Sequence, residues 1–291
     1  MRTYEVGFKS VNFHAWAGKP TTMLVVEPDA VDAGTGAILC THGWGGNRFQ
    51  HREVMEHAAA KFNLVALAVE YRQSGFDFDP VTGTGACWPY DASFYQVLDV
   101  LNGLRETLAL RPGLDRRRVY HFGGSQGGHI ALLSALFAPD TFAAVYAGSP
   151  VTRITPDIAT WAGREFSGRE LSDRDVVEHA ADFQCPVFLE HGTADAIVPH
   201  HEHTEPLERE LKRLGKVHDV KYHEGGGHGL EPVTTRAESF KERAAELFRL
   251  VRPRAANDFS EGSCVRLKCL DKTLVIDWSQ AASSAQLVRF E

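Results

Sequence analysis

Short apolar runs recur along this chain at Ala37–Thr41, Leu64–Val69, Val119–Phe122, Ala143–Tyr146 and Pro186–Leu189, and a last, more polar strand candidate is Val217–His223. Apolar runs of this length without polar alternation are expected of strands buried on both faces. Amphipathic stretches lie between them. Asp91 could cap a helix in which Phe94, Val97, Leu98, Leu101, Leu104 and Leu108 recur at helical spacing, closed by Arg111-Pro112-Gly113. His129–Phe137, Glu205–Leu214 and Ala237–Val251 read the same way. Strands and helices alternating over about 215 residues predict an α/β fold with one doubly wound, mostly parallel sheet rather than two domains.

Three stretches break the alternation, 74–89, 150–184 and 252–291, and the start of the chain has a pattern of its own. At the start, Tyr4–Val11 and Thr22–Glu27 read as strands around a turn at Ala17–Pro20. Residues 74–89 are loop-like, and 150–184 form a lid-like excursion with room for short helices. The core pattern therefore predicts a catalytic domain over 1–252. The remainder, 253–291, reads as a C-terminal appendage in which Val265–Leu267 and Leu274–Ile276 suggest a hairpin.

Composition narrows the function. A net charge of −7 without a long basic run argues against nucleic acid or an anionic membrane as partner. The five cysteines include no CxxC pair, which argues against a zinc ribbon or a disulfide scaffold. The first residues lack the apolar stretch of a signal peptide, and no run approaches a membrane span, so the expected location is cytoplasmic.

The chemistry begins at Gly123-Gly124-Ser125-Gln126-Gly127-Gly128, between a predicted strand and a predicted helix. In that context G-x-S-x-G makes a tight turn that lifts a nucleophilic serine clear of the backbone. A P-loop would need Lys-Ser/Thr after the glycines, and a dinucleotide fingerprint would follow the first strand. A serine needs a base and a group to orient it. Asp195 follows the strand ending at Leu189, and His228 lies in Gly225-Gly226-Gly227-His228-Gly229 after the last strand. The order Ser125, Asp195, His228 is that of an α/β-hydrolase triad. Glu190, His218 and His223 fall in or beside strands and are weaker candidates. The loop His42-Gly43-Trp44-Gly45-Gly46 could supply the Trp44 N–H to an oxyanion hole, with the Gln126 N–H as the second donor.

These motifs, with Glu70-Tyr71-Arg72-Gln73-Ser74-Gly75 and His191-Gly192-Thr193-Ala194-Asp195, resemble the α/β-hydrolase superfamily, in its prolyl oligopeptidase and dienelactone hydrolase branch. The resemblance covers about residues 1–252. It implies an α/β-hydrolase fold: an eight-stranded sheet with an antiparallel N-terminal hairpin, a small or absent cap, and acyl transfer to water by a Ser-Asp-His triad. Many dienelactone hydrolases carry cysteine where this chain has Ser125. The length leaves no room for the propeller that precedes the catalytic domain of oligopeptidases. The expectation is accordingly a serine hydrolase of carboxylic esters. The alternative is an aminopeptidase- or oligopeptidase-like serine peptidase acting on short peptides or aryl amides.

Secondary features follow. Phe76, Phe78 and Trp88 could line an acyl pocket or pack in the core. Asp77, Asp79 and Glu165 are candidates for holding a peptide amino terminus. Asp77-Phe78-Asp79 lacks the remaining ligands of a calcium loop, and His200, His201 and His203 read better as a polar helix entry than as a metal site. Cys87 reads as a loop or buried thiol. No metal or cofactor is expected. The expected partner is a small ester or short peptide, and the C-terminal segment could support a homo-oligomer.

Overall fold

The computed structural model describes residues 1–11, 21–75 and 90–291. The main sheet runs β1 (Arg2–Phe8), β2 (Thr21–Glu27), β4 (Leu64–Glu70), β3 (Gly36–Thr41), β5 (Val119–Gly124), β6 (Ala144–Gly148), β7 (Val187–Gly192), β8 (His218–His223). From β4 to β8 neighbouring strands are parallel, while β2 pairs antiparallel with both β1 and β4. The expected α/β architecture with antiparallel N-terminal strands is what the chain adopts. The first strand lies earlier than the expected Tyr4–Val11. The β1–β2 ladder ends at Phe8 opposite Thr21, and Val11 leaves it to pack in the core.

The unbroken apolar runs serve both faces of the sheet, as their pattern requires. Ala37, Leu39, Val65, Leu67, Val119, Val145 and Leu189 point to one side, against α2 (Phe94–Leu110), α3 (Gln126–Phe137) and α6 (Thr204–Arg213). Their neighbours Ile38, Cys40, Ala66, Tyr120, Phe122 and Tyr146 point to the other, against α1 (Arg52–Phe62) and α7 (Arg236–Leu247). The period-two alternation of side chains along a strand produces this division. Helix α1 escapes a sequence reading because its buried positions, Val54, Met55, Ala58 and Ala59, are mostly small. Helix α7 is shorter than expected, since the Tyr120 hydroxyl donates to the Leu250 carbonyl (2.7 Å) beyond its end.

At the start of α2 the Asp91 carboxylate accepts the Gln96 N–H (2.9 Å), while the Gln96 side chain accepts the Ser93 N–H (2.7 Å). Asp91 thus caps from two residues before the N-cap position, Ser93. Residues 150–184 hold α4 (Pro156–Ala162) and α5 (Gly168–Ser172). This excursion is pinned by buried Arg174, which donates to the Asp91 carbonyl (2.8 Å) and the Ala92 carbonyl (3.0 Å).

The C-terminal residues form an antiparallel sheet of β9 (Cys264–Cys269), β10 (Lys272–Asp277) and β11 (Val288–Phe290), with α8 (Asp258–Glu261) before it. Strand β9 alternates strictly: Val265, Leu267 and Cys269 are buried and the residues between them exposed. The third strand, three residues long, is too short to show a sequence period. Trp278 is fully buried and donates its indole N–H to the Phe137 carbonyl (2.9 Å) at the end of α3. This sheet therefore packs on the outer side of α3, which is why α3 is buried all round and apolar on every face. Among the described residues, no helix is long and apolar enough to cross a membrane.

Candidate active site

The chain crosses from β4 over to β5 on the far side of β3, so the loops leaving β3 and β5 diverge. In open α/β sheets such a switch point opens a crevice at the carboxyl ends of the strands. Ser125 stands there, between β5 and α3, with φ 57° and ψ −124°. Non-glycine residues rarely enter this region, and the surroundings must hold the strain. The Ser125 N–H donates to the Gly148 carbonyl (2.8 Å), and the Thr41 hydroxyl donates to the Gly127 carbonyl (2.8 Å). A Cβ at Gly127 would stand 2.1 Å from the Thr41 carbonyl oxygen, so only glycine lets α3 start this close to β3.

Asp195 and His228 come from the loops after β7 and β8. A Cβ at Gly192 would lie 2.1 Å from the Gly226 carbonyl oxygen, and the Ala194 N–H donates to that carbonyl (2.9 Å). The loops are thus welded side by side. His228 Nδ1 donates to Asp195 Oδ2 (2.7 Å), and His228 Nε2 accepts from the Ser125 hydroxyl (2.9 Å). The carboxylate can only accept, which fixes the proton on Nδ1 and leaves Nε2 basic towards Ser125. Ser125, Asp195 and His228, expected from the sequence as a triad, are therefore brought into one hydrogen-bonded line.

Asp195 is buried and takes four donors: the Ile197 and Val198 N–H groups on Oδ1 (2.9 Å each), and His228 and His191 on Oδ2. Burial alone would raise its pKa, but the hydrogen bonds from His191, His228 and Val198 hold it well below the usual carboxylate range. His191, which sequence reasoning left unassigned, donates to Asp195 (3.0 Å) while its Nδ1 accepts from the Thr204 hydroxyl (2.6 Å). Its position at the end of β7, four residues before Asp195, was the available signal.

On the opposite side, His42 stacks on Tyr71 at 4.0 Å, and the Tyr71 hydroxyl donates to the His42 carbonyl (2.8 Å). Burial lowers the His42 pKa to about 4, so the ring is a neutral prop for the loop that follows. Trp44 in that loop stacks on Tyr90 at 4.1 Å. The Gln126 side chain is held by the Tyr90 hydroxyl (3.1 Å) and Gln96 (2.9 Å). The N–H groups of Trp44 and Gln126, the expected oxyanion donors, belong to residues that line the same cavity as Ser125. Neither N–H has an acceptor among the described residues.

That cavity, about 370 Å³, has two kinds of lining. Val151, Ile158, Trp161, Ile197 and Val198 give it apolar lining, with Val151, Ile158 and Val198 packed together, and Gln50 and Arg236 add polar lining. Phe76, Phe78 and Trp88, expected as acyl-pocket residues, lie outside the described residues, as do Asp77, Asp79 and Cys87. Glu165 is exposed and does not line the cavity. His203 is buried and its Nδ1 accepts from the Thr152 N–H (3.2 Å). No group of three metal-ligating side chains converges among the described residues.

The sheet order, the strained serine between β5 and α3 and the antiparallel entry strands define an α/β-hydrolase. A solved acylaminoacyl peptidase, in complex with Z-Gly-Gly-Phe-chloromethyl ketone, matches this fold with a TM-score of 0.70 at 20% identity, over 87% of this chain and 42% of that one. Residues 91–249 match the prolyl oligopeptidase family, and the chain belongs to that family. Dipeptidyl peptidase family member 1 of Caenorhabditis elegans is 28% identical over 213 residues, 68% of this chain and 25% of the relative. The acylamino-acid-releasing enzyme of Mus musculus is 29% identical over 199 residues, 62% of this chain and 26% of its own length. The chain thus spans about a quarter of the length of these curated relatives.

Proposed function

We propose that the protein is a serine hydrolase of the peptidase kind, cleaving amide bonds of short peptides or acylated amino acids through an acyl-enzyme. The observation that carries this reading is the continuous line Ser125 Oγ, His228 Nε2, His228 Nδ1, Asp195 Oδ2, with contacts of 2.9 and 2.7 Å. Family membership and the names of its relatives favour amides over the carboxylic esters that chain length alone suggested.

In this reading Ser125 Oγ bonds to the carbonyl carbon while its proton passes to His228 Nε2. The Trp44 and Gln126 N–H groups meet the oxygen as it becomes negative, and Asp195 stabilises the imidazolium. The C–N bond then breaks and the amine leaves with the proton from His228. Water next gives a proton to His228 and its oxygen to the acyl carbon. Ser125 recovers the proton as the acid departs. The small cap of residues 150–184 would leave the cavity open to short substrates.

Fluorophosphonate labelling tests the nucleophile: the wild type should label and Ser125→Ala should not. Labelling that persists in the variant would reject Ser125. Parallel kinetics on aminoacyl nitroanilides and nitrophenyl esters tests the bond type. Nitroanilide turnover at background level beside rapid ester turnover would restore the ester reading.

A further inference from the structure

Arg236, the first residue of α7, lines the catalytic cavity and has an unusual set of neighbours. One guanidinium nitrogen, Nη2, donates to the backbone carbonyl of His228. Its Nε is buried with no hydrogen-bond partner, and no carboxylate among the described residues lies within 4.0 Å. Glu190, Asp195 and Glu231 act on it only from further away. Asp195 accepts four donors and Glu231 is exposed, while Glu190 accepts from Ser239 and His223 on Oε2 only and keeps a buried Oε1 without a hydrogen-bond partner, more than 4.0 Å from the guanidinium. A guanidinium is always charged and presents a fork suited to carboxylates. Leaving one unpaired in a cavity costs stability unless something else pairs with it.

Its placement indicates which part of a substrate it would meet. The leaving amine takes its proton from His228, so the amine departs on the His228 side, the side on which Arg236 holds the His228 carbonyl. Gln50, exposed on the same cavity, has its Oε1 engaged by the Gly43 N–H (3.1 Å), which leaves the amide nitrogen to donate. The apolar lining of Val151, Ile158, Trp161 and Val198 remains for the acyl side chain.

Resting on the serine-peptidase reading above, we infer that Arg236, assisted by Gln50, binds the free carboxylate of the leaving amino acid. The favoured substrates would then be acylated dipeptides or N-acyl amino acids with a free carboxyl end and an apolar residue on the acyl side. This assigns recognition to the carboxyl end of the substrate.

The test compares an N-acetyl-Phe-Ala peptide with its C-terminal amide. A charge-assisted contact predicts a kcat/KM for the free acid about tenfold to a hundredfold above that of the amide, mostly through KM. In Arg236→Met that ratio should fall close to one, and Arg236→Lys should keep part of it. Any loss from loosening the His228 loop is common to both substrates, so the ratio isolates the carboxylate contact. A wild-type ratio of one or below, or a ratio that survives Arg236→Met, overturns the inference. Fluorophosphonate labelling of each protein separates the two levels. A wild type that does not label rejects the catalytic reading itself. Labelling without a preference for the acid rejects only the carboxylate subsite, and labelling of Arg236→Met shows that the variant is folded.

Discussion

Two groupings of serine, histidine and carboxylate among the described residues invite comparison, and they differ in whether they are arranged for relay. Ser125, His228 and Asp195 meet at the cavity; Ser239, His223 and Glu190 meet beneath it, between α7 and the sheet. Both carboxylates come from the β7 end and both histidines from the β8 end, five residues apart in each case. In the first set the two ring nitrogens divide the work, Nδ1 to the carboxylate and Nε2 to the serine. In the second, His223 Nε2 faces both Glu190 (3.3 Å) and Ser239 (3.3 Å), and Ser239 donates directly to Glu190. The same residue types there form a closed polar knot, with Ser239 and Glu190 fully buried. Residue identity alone therefore does not make a triad; the separation of the two nitrogens and access to a cavity do.

The largest effect should come from breaking the relay. Asp195→Asn removes the acceptor that fixes the His228 tautomer, and under the proposed mechanism kcat should fall on the order of ten-thousand-fold with the fold retained. Glu190→Gln should leave kcat within about tenfold, because no ring nitrogen of His228 depends on Glu190. Comparable losses in the two variants, measured by steady-state kinetics and checked by circular dichroism, would break the distinction between the two sets.

Acid sharpens the contrast in another way. The hydrogen bonds on Asp195 hold its pKa well below the usual carboxylate range, so this carboxylate keeps its charge through mild acid. Packed histidines do not share that protection. Burial lowers His42 and His129 to about 4 and His51, His121 and His203 to about 3. Each stays neutral in the folded chain while the unfolded chain binds a proton below about pH 6.5, so the unfolded state holds more protons. Stability should be complete above pH 6.5 and fall as the pH drops towards 4, by about 1.4 kcal/mol per pH unit for each such histidine. Urea midpoints from pH 7.5 to 4.5 read this directly. A flat profile would show that these rings are not packed neutral.

What could be read beforehand follows from how local each signal is. The sheet was legible because unbroken apolar runs such as Leu64–Val69 have few other folded fates. The site was legible because Ser125, Asp195 and His228 sit on glycine-rich loops directly after strands. Helix α1 was not, since two of the four residues on its buried face are alanine, nor was β11, which is too short to show a period. His191 and Arg236 were illegible for a different reason. Their roles depend on contacts with Asp195 and with the His228 carbonyl, which exist only once the loops after β7 and β8 lie together. Glu190 shows the converse: the sequence places it in or beside a strand as a weaker candidate, and the fold seals it in with Ser239 and His223.

The smallest expected effect is also the most discriminating, because it crosses with the largest. Ser239→Ala deletes one of the donors to Glu190, whose Oε1 already lacks a partner. The buried carboxylate keeps only His223 on Oε2, and an under-satisfied buried acceptor costs about 1–3 kcal/mol. Thermal or urea unfolding should register that loss, while kcat/KM stays within about threefold, since Ser239 touches none of the proposed reacting groups. Ser125→Ala should do the opposite. Under the proposed mechanism it should abolish turnover, yet it removes only a part-buried hydroxyl bonded to His228, so unfolding should shift by no more than about 1 kcal/mol. Two serine-to-alanine substitutions on the same fold would thus separate function from stability along both axes. If Ser239→Ala costs activity as Ser125→Ala does, the knot beneath the cavity takes part in the chemistry, and the distinction drawn between the two sets fails.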